Sequence, residues 1–475
     1  MAAGMERPAT TDASHDPILT GPLWPVFFRY ALPSVAGLLA ITTAVIVDGF
    51  FIGNFVGADA LAAITLLIPW FTFLFGIALA LAIGGTVRAG RYLGEGRPDA
   101  ASAIYSKCLL ATLCIALVVA GVSLVAQEPL YRLLGASPAL FPLMAEYFQV
   151  IAWVMVMQLV TMVFYYFIRV DGFPILATTA LIVGSVTNIL LDALLVGYMD
   201  MGLQGAALAT GAAQLLQLSV QLLYLTRPGR KLVFRLRQTD WAEVLKALAN
   251  GVSEWINEVS IGVVMLLINW LLMREQGVNG VAAFTVVNYL IFLSLMVFYG
   301  ISDAMHVLLS HNLGAGNPDR IRRFMGCALT VILGLGIVLV LGVWFHGGTL
   351  VRLFLDASAD NTTAVMADRF LGILWPLFLI NGVNVLLSVY LTAMHRPLPS
   401  AMVALSRSLV LPGLLLVLIS MLAPDWPLLV ALPLAEWLTF GLALTLFLQA
   451  SPHRLIPPPH RNDSAATTQA ADSCH

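Results

Sequence analysis

GADALAAITLLIPW at residues 57–70 lies over GVNGVAAFTVVNYL at residues 277–290, a spacing of 220. The same spacing puts LGEGRPD (93–99) over LGAGNPD (313–319), and no gap is needed between the two matches. Identities include Gly57/Gly277, Ala62/Ala282, Ala63/Ala283, Thr65/Thr285, Leu93/Leu313, Gly94/Gly314, Gly96/Gly316, Pro98/Pro318 and Asp99/Asp319. Further along, a spacing of 222 puts MAEYFQVIAW (144–153) over MADRFLGILW (366–375). One half of the chain therefore repeats the other.

Each copy is built for a bilayer. The chain is 60% hydrophobic and 11% charged, where soluble domains carry about a quarter charged residues. Apolar runs of about 20 residues recur, long enough to cross about 30 Å of hydrocarbon as helices. Twelve are counted, near 29–53, 59–87, 101–126, 140–168, 174–198, 203–225, 247–273, 280–309, 324–345, 365–392, 398–422 and 427–449. Six spans per copy is an even number, so both copies enter from the same side. They are then related by a pseudo-twofold axis along the membrane normal. The expected fold is an all-α membrane protein of twelve transmembrane helices in two six-helix lobes. The expected layout is an amino-terminal tail (1–24), an amino-terminal lobe (25–226), a linker (227–246), a carboxyl-terminal lobe (247–450) and a carboxyl-terminal tail (451–475).

Charge placement orients the bundle. One side holds the termini, the loops after even spans and the adjoining halves of the spans. Of the 24 Lys and Arg, only Arg132, Arg274, Arg352 and Arg369 fall on the other side. By the positive-inside rule both termini are cytoplasmic, as in an integral protein of a bacterial cell membrane. The basic stretch RPGRKLVFRLRQTD (227–240) then reads as a topology determinant rather than a nucleic-acid or lipid site. The polar start argues against a secretory signal peptide. Cys108, Cys114 and Cys327 sit in apolar runs without metal-ligand spacing and read as packing thiols. No GxxxxGK[ST] loop occurs, so ATP-driven export is unsupported. No constellation for intramembrane hydrolysis stands out, so an enzyme is not expected.

Against this apolar background TNILLDALLVG (187–197) is an anomaly. Asn188 and Asp192 lie in a run without lysine or arginine. An acid at mid-membrane costs about 2.5–3.5 kcal/mol on insertion scales and marks a functional position by default.

Several stretches together resemble the multidrug and toxic compound extrusion (MATE) family of cation-coupled antiporters. They are VDGFFIGNFVGADALAA, TNILLDALLVGYMDMGLQGAALAT, NGVSEWINEVSIGVV, LGAGNPD, SRSLVLP and PLAEW. The likeness runs over nearly all of residues 25–450. Two departures are visible: NGVSE stands where many members carry a proline, and Asp303 in GISDAMH stands where many carry an uncharged polar residue. The resemblance implies a rocker-switch exporter with a central cavity. It would expel amphipathic, mainly cationic organic compounds in exchange for protons or sodium, without a cofactor and as a monomer. The family's cation site carries over to Asp48, Asn188, Asp192 and Thr210.

Depth agrees with that assignment. Asp48 and Asp192 lie about 18–19 residues into outward-running spans, and Thr210 about seven into the returning one, so all fall in the outer half at 1.5 Å per residue. Asn188 is one turn from Asp192 on the same face. Two carboxylates in a poorly solvated site cannot both ionise cheaply, so the pair can share one proton. The same oxygens can instead hold sodium. The bland alternatives are a helix-end hydrogen bond for Asp48 and helix–helix glue for Asn188.

A second polar group falls in the other lobe, deeper or nearer the cytoplasm: Glu254, Glu258, Asp303, Arg407 and Glu436. It reads equally as an ion-pair network around Arg407 or as coupling and substrate-binding residues, with Glu254 foremost. His306 shares a helix face with Asp303 and reads as a packing histidine before a proton relay. Two other functions compete. A flippase for lipid-linked or glycan precursors should line its cavity with Arg and Lys for phosphates, and this chain buries acids instead. A receptor or scaffold would not need acids from several spans at one depth.

Overall fold

The computed structural model describes residues 16–352, 361–423 and 425–456; the remainder of both expected tails lies outside the described residues. Eleven helices among the described residues are long and apolar enough to cross a membrane. The first six are α1 (Leu23–Val56), α2 (Asp59–Gly94), α3 (Pro98–Val125), α4 (Pro138–Val170), α5 (Pro174–Tyr198) and α6 (Gly202–Thr226). The seventh, Ala242–Gly314, has 73 residues. A straight helix of that length would reach about 110 Å, more than three bilayer cores. Its backbone leaves helical geometry at Gly277 (φ 68°, ψ −158°), which divides it into α7 (242–276) and α8 (278–314). The remaining spans are α9 (Pro318–Thr349), α10 (Thr362–Ala393), α11 (Pro397–Leu422) and α12 (Leu428–Gln449). The twelve expected spans are thus present, two of them joined without a loop.

The repeated glycines are backbone requirements. Gly57, the mate of Gly277, separates α1 from α2 at φ 117°, and Gly96 and Gly316 end α2 and α8 with φ 71° and 69°. A side chain is strained in this left-handed region, so glycine is the default there. Proline then opens α3, α4, α5, α9 and α11, where its missing N–H costs nothing.

The basic loops and both described chain ends gather at one end of the bundle. Lys231 bonds Asp16 at 2.8 Å, Arg320 donates to the Ile18 carbonyl at 2.8 Å, and His453 lies 3.4 Å from Asp319. The linker is an extended strap rather than a free tether. Asp171 accepts from the Lys231 N–H (2.9 Å), the Leu232 N–H (3.3 Å) and the Tyr224 hydroxyl (2.5 Å). Burial pushes the Asp171 carboxyl up despite these donors. Ser102 and Ser106 accept from the N–H groups of Val233 (3.1 Å) and Arg235 (2.7 Å), and the buried Lys107 ammonium donates to the Thr239 carbonyl. Helix resumes at Ala242, before the expected linker end at 246. Trp241 caps this helix, and AEVLKAL forms the first turns of α7.

Three apolar clusters show how the lobes meet. One draws on both lobes, joining Phe27, Leu81 and Phe167 to Phe298, Met305 and Tyr390 at the termini-bearing end. The second contains residues of the amino-terminal lobe, among them Trp70, Tyr147 and Phe148. The third contains residues of the carboxyl-terminal lobe, among them Phe284, Phe370 and Phe378. The lobes therefore share a core at the termini-bearing end and keep separate cores at the other. Outward faces stay apolar, with Val125, Leu133 and Leu190 exposed, as a lipid-facing surface requires.

Glycine makes the shared end possible. A Cβ at Gly84 would sit 1.8 Å from the Ala247 carbonyl oxygen, and one at Gly251 would sit 2.0 Å from that of Ala80. Gly94 faces the His311 carbonyl at 2.1 Å and Gly314 faces that of Arg91 at 2.0 Å. Gly94 and Arg91 lie 220 residues before Gly314 and His311, so α2 and α8 cross symmetrically about the pseudo-twofold axis. Small residues that let backbones approach are the usual means of packing helices in lipid.

Candidate functional site

Asp48 lies near the end of α1 and Asp192 near the end of α5, both toward the end where the lobes keep separate cores. Each helix changes to π geometry there. The Ile52–Val56 segment follows Asp48 by one turn, and Asp192 opens the Asp192–Tyr198 segment. Such widened turns disturb the regular ladder and recur at functional sites. A third π segment, Ser406–Val410, contains Arg407.

Asp192 is 0% exposed, and among the described residues neither of its carboxylate oxygens has a hydrogen-bond partner. Asp48 Oδ1 is likewise buried without a partner. The two carboxylates lie within electrostatic range of each other, and both lie within range of the buried Tyr147 on α4. Asn188 Nδ2 reaches the Thr210 hydroxyl at 3.4 Å, and that hydroxyl donates to the Ala206 carbonyl at 3.1 Å. The structure thus places the four expected residues on three mutually packed helices. Tyr147 carries no functional signal in the sequence, because an aromatic ring in an apolar span looks like ordinary packing.

A buried carboxylate without donors is expensive unless its charge is met. A proton on one of the pair meets it. So does a small hard cation, for which carboxylate, amide and hydroxyl oxygens are suitable donors.

The second group divides. Arg407 anchors a network within the carboxyl-terminal lobe. Its Nε donates to Glu436 (3.1 Å), one Nη to the Tyr299 hydroxyl (3.1 Å) and the other to Asn381 Oδ1 (3.0 Å). Asn384 donates to the other Glu436 oxygen at 2.6 Å. Glu254, Asn257 and Tyr299 line a small cleft beside Arg407, and Asn257 accepts from Ser408 at 2.7 Å. Glu258 lies one turn along α7, half-buried.

Asp303 lies within electrostatic range of Glu254, its companion in the grouping by depth, but takes its ion pair outside the Arg407 network. It pairs with Arg169 at the end of α4, in the other lobe. Depth along a helix says nothing of the direction a side chain faces. In sequence Arg169 stands out only as one of the many charges on the termini-bearing side. His306, one turn from Asp303, is buried with no partner for Nδ1 among the described residues.

Removing one member of the Arg407–Glu436 pair leaves the other buried and uncompensated, a loss of about 3–5 kcal/mol. Arg407→Gln and Glu436→Gln should each lower thermal stability sharply, and the double variant should lose much less than the sum. Additive losses in a double-mutant cycle would mean that the two do not act as a pair.

The family model MatE matches the chain twice, over residues 33–194 and 256–417, once in each lobe. Over 439 residues the chain is 27% identical to a protein of Shewanella oneidensis named FAD transporter, covering 90% of this chain and 94% of that one. It is 22% identical to multidrug export protein MepA of Staphylococcus haemolyticus, covering 89% and 94%. Its fold is similar to the solved structure of a MOP superfamily transporter from Pyrococcus furiosus, with a TM-score of 0.83 at 20% identity over 94% of this chain and 98% of that one.

Proposed function

Because the chain belongs to the MatE family of multi-span membrane transporters, we propose that it is a proton- or sodium-coupled antiporter exporting amphipathic, mainly cationic organic compounds. The observation that carries this reading is a pair of facing carboxylates in the amino-terminal lobe: among the described residues, fully buried Asp192 has no partner for either oxygen, and half-buried Asp48 has none for its buried Oδ1. One positive charge, from the coupling cation or from the cargo, satisfies the pair at a time. That mutual exclusion is what an antiporter needs. The core shared at the termini-bearing end and the separate lobe cores beyond it support a rocking motion. Placing both termini in the cytoplasm of a bacterial cell follows from the charge bias of the loops.

Interior charge supports a cationic cargo. Asp48, Asp192, Glu254, Glu258, Asp303 and Glu436 stand against Arg169 and Arg407, each already paired with an acid, and Lys107, whose ammonium is held by the Thr239 carbonyl. The relative named FAD transporter makes a flavin nucleotide the second cargo to test. Its pyrophosphate, like that of a lipid-linked glycan, calls for free Arg and Lys, and this acid excess opposes it. The test is efflux of an organic cation dye from proteoliposomes under a proton gradient or a sodium gradient alone, with FAD as competitor. Dye export driven by one gradient and insensitive to FAD is the expected result. Export of FAD but not of the dye would overturn the cargo assignment.

A further inference from the structure

Arg169 is held more tightly than its place at a helix end requires. Its side chain is 1% exposed, while that of Asp303 is 12% exposed. The second Nη donates to Ser34 Oγ on α1 at 2.6 Å. The rings of Tyr165 and Tyr166 lie 5.1 and 5.6 Å from the guanidinium carbon. Ser34, Tyr165 and Tyr166 belong to the same lobe as Arg169, whereas Asp303 belongs to the other. Arg169 is therefore a fixed part of the amino-terminal lobe that lends one hydrogen-bonding arm across the interface.

The other ionisable groups facing Asp303 are Glu254, His306 and the hydroxyls of Tyr165 and Tyr166. Glu254 on α7 lies within electrostatic range of it, and His306 is one turn away on α8. Arg169 is thus the cation in hydrogen-bond reach of Asp303. Any motion that parts the lobes at the termini-bearing end must part α4 from α8. Asp303 is then left on one wall of the opening beside Glu254, without its counter-charge. Arg169 stays on the opposite wall, kept there by Ser34 and the two tyrosines.

We propose that Asp303 recruits the exported organic cation when the termini-bearing end is open, and that Arg169 is its built-in competitor, taking the same carboxylate whenever that end shuts. Closure then displaces the cargo from Asp303 instead of trapping it there. This inference rests on the cation-export reading, and the experiment separates the two.

Purified variants in a cysteine-free background are spin-labelled at the exposed positions 97, in the α2–α3 loop, and 319, in the first turn of α9, in opposite lobes at the termini-bearing end. Interlobe distances are measured beside dye-export kinetics in proteoliposomes. Asp303→Asn should raise the KM for the dye about ten-fold and add a longer-distance population. Arg169→Gln should add the same population and lower kcat without raising KM. The double swap Arg169→Asp with Asp303→Arg should restore the wild-type distance while KM stays raised. Wild-type KM in Asp303→Asn, or in the swap, would overturn recruitment. Unchanged distances in both single variants would overturn competition at closure, and they can be read even if the wild-type protein moves no dye, an outcome that sinks the cation-export reading alone.

Discussion

Asp192→Asn should abolish gradient-driven export while leaving the fold at least as stable. Asparagine has the shape of aspartate without its charge, so packing at this fully buried position is preserved. The variant also removes a buried charge for which no described donor compensates, and relieving such a charge is neutral or stabilising. The melting temperature should hold or rise. Export should fall by about 100-fold, because losing about 3 kcal/mol of differential ion binding costs two powers of ten. Asp48→Asn should behave in the same way, and the double variant should be little worse than either, since the two carboxylates act on one charge. The measurement is initial efflux rate in proteoliposomes beside thermal unfolding in detergent. Wild-type export by either single variant would remove that carboxylate from the mechanism. Activity lost together with stability would point to a structural role.

Gly84→Ala should prevent the termini-bearing end from sealing. The added methyl would sit 1.8 Å from the Ala247 carbonyl oxygen. Cβ is fixed by the backbone, so no rotamer change relieves the contact, and the helices must separate. Overpacking of this kind costs about 1–3 kcal/mol or more, enough to shift a two-state equilibrium by roughly 5–150-fold. The expected result is a lengthened interlobe distance across the α2–α3 and α8–α9 loops and export reduced at least about ten-fold. Gly121→Ala on α3 is the control, because a Cβ there meets nothing within 4 Å, and it should match the wild type in both measurements. Wild-type export by Gly84→Ala would show that transport does not require this contact.

The contrast between Asp192 and Asp303 shows what counting along a span does and does not reveal. Asp192 is located by counting residues along a span, and Asn188 and Thr210 fall at matching depth. Asp303 lies at the expected depth and in range of Glu254, but its counter-charge comes from α4, 134 residues away, where no depth count would look. The joint at Gly277 was legible as a repeated glycine, but only the backbone shows that it replaces a loop between two spans. The π segments at Asp192 and Arg407 left no mark in the residue pattern.

The sequence by itself determined that this protein crosses the membrane twelve times, in two parallel copies, with acids buried in both. The physical reason is that a spanning segment must satisfy its own backbone and match the bilayer thickness, and both conditions are written along the chain. Only the tertiary structure decided which faces meet: the orphaned pair Asp48 and Asp192, the arm of Arg169 across the lobe interface, and a core shared at one end and divided at the other. In lipid the outward and inward faces of a helix are equally apolar, so hydrophobic pattern does not mark the buried side. Which way a polar side chain points is settled when helices distant in sequence pack together.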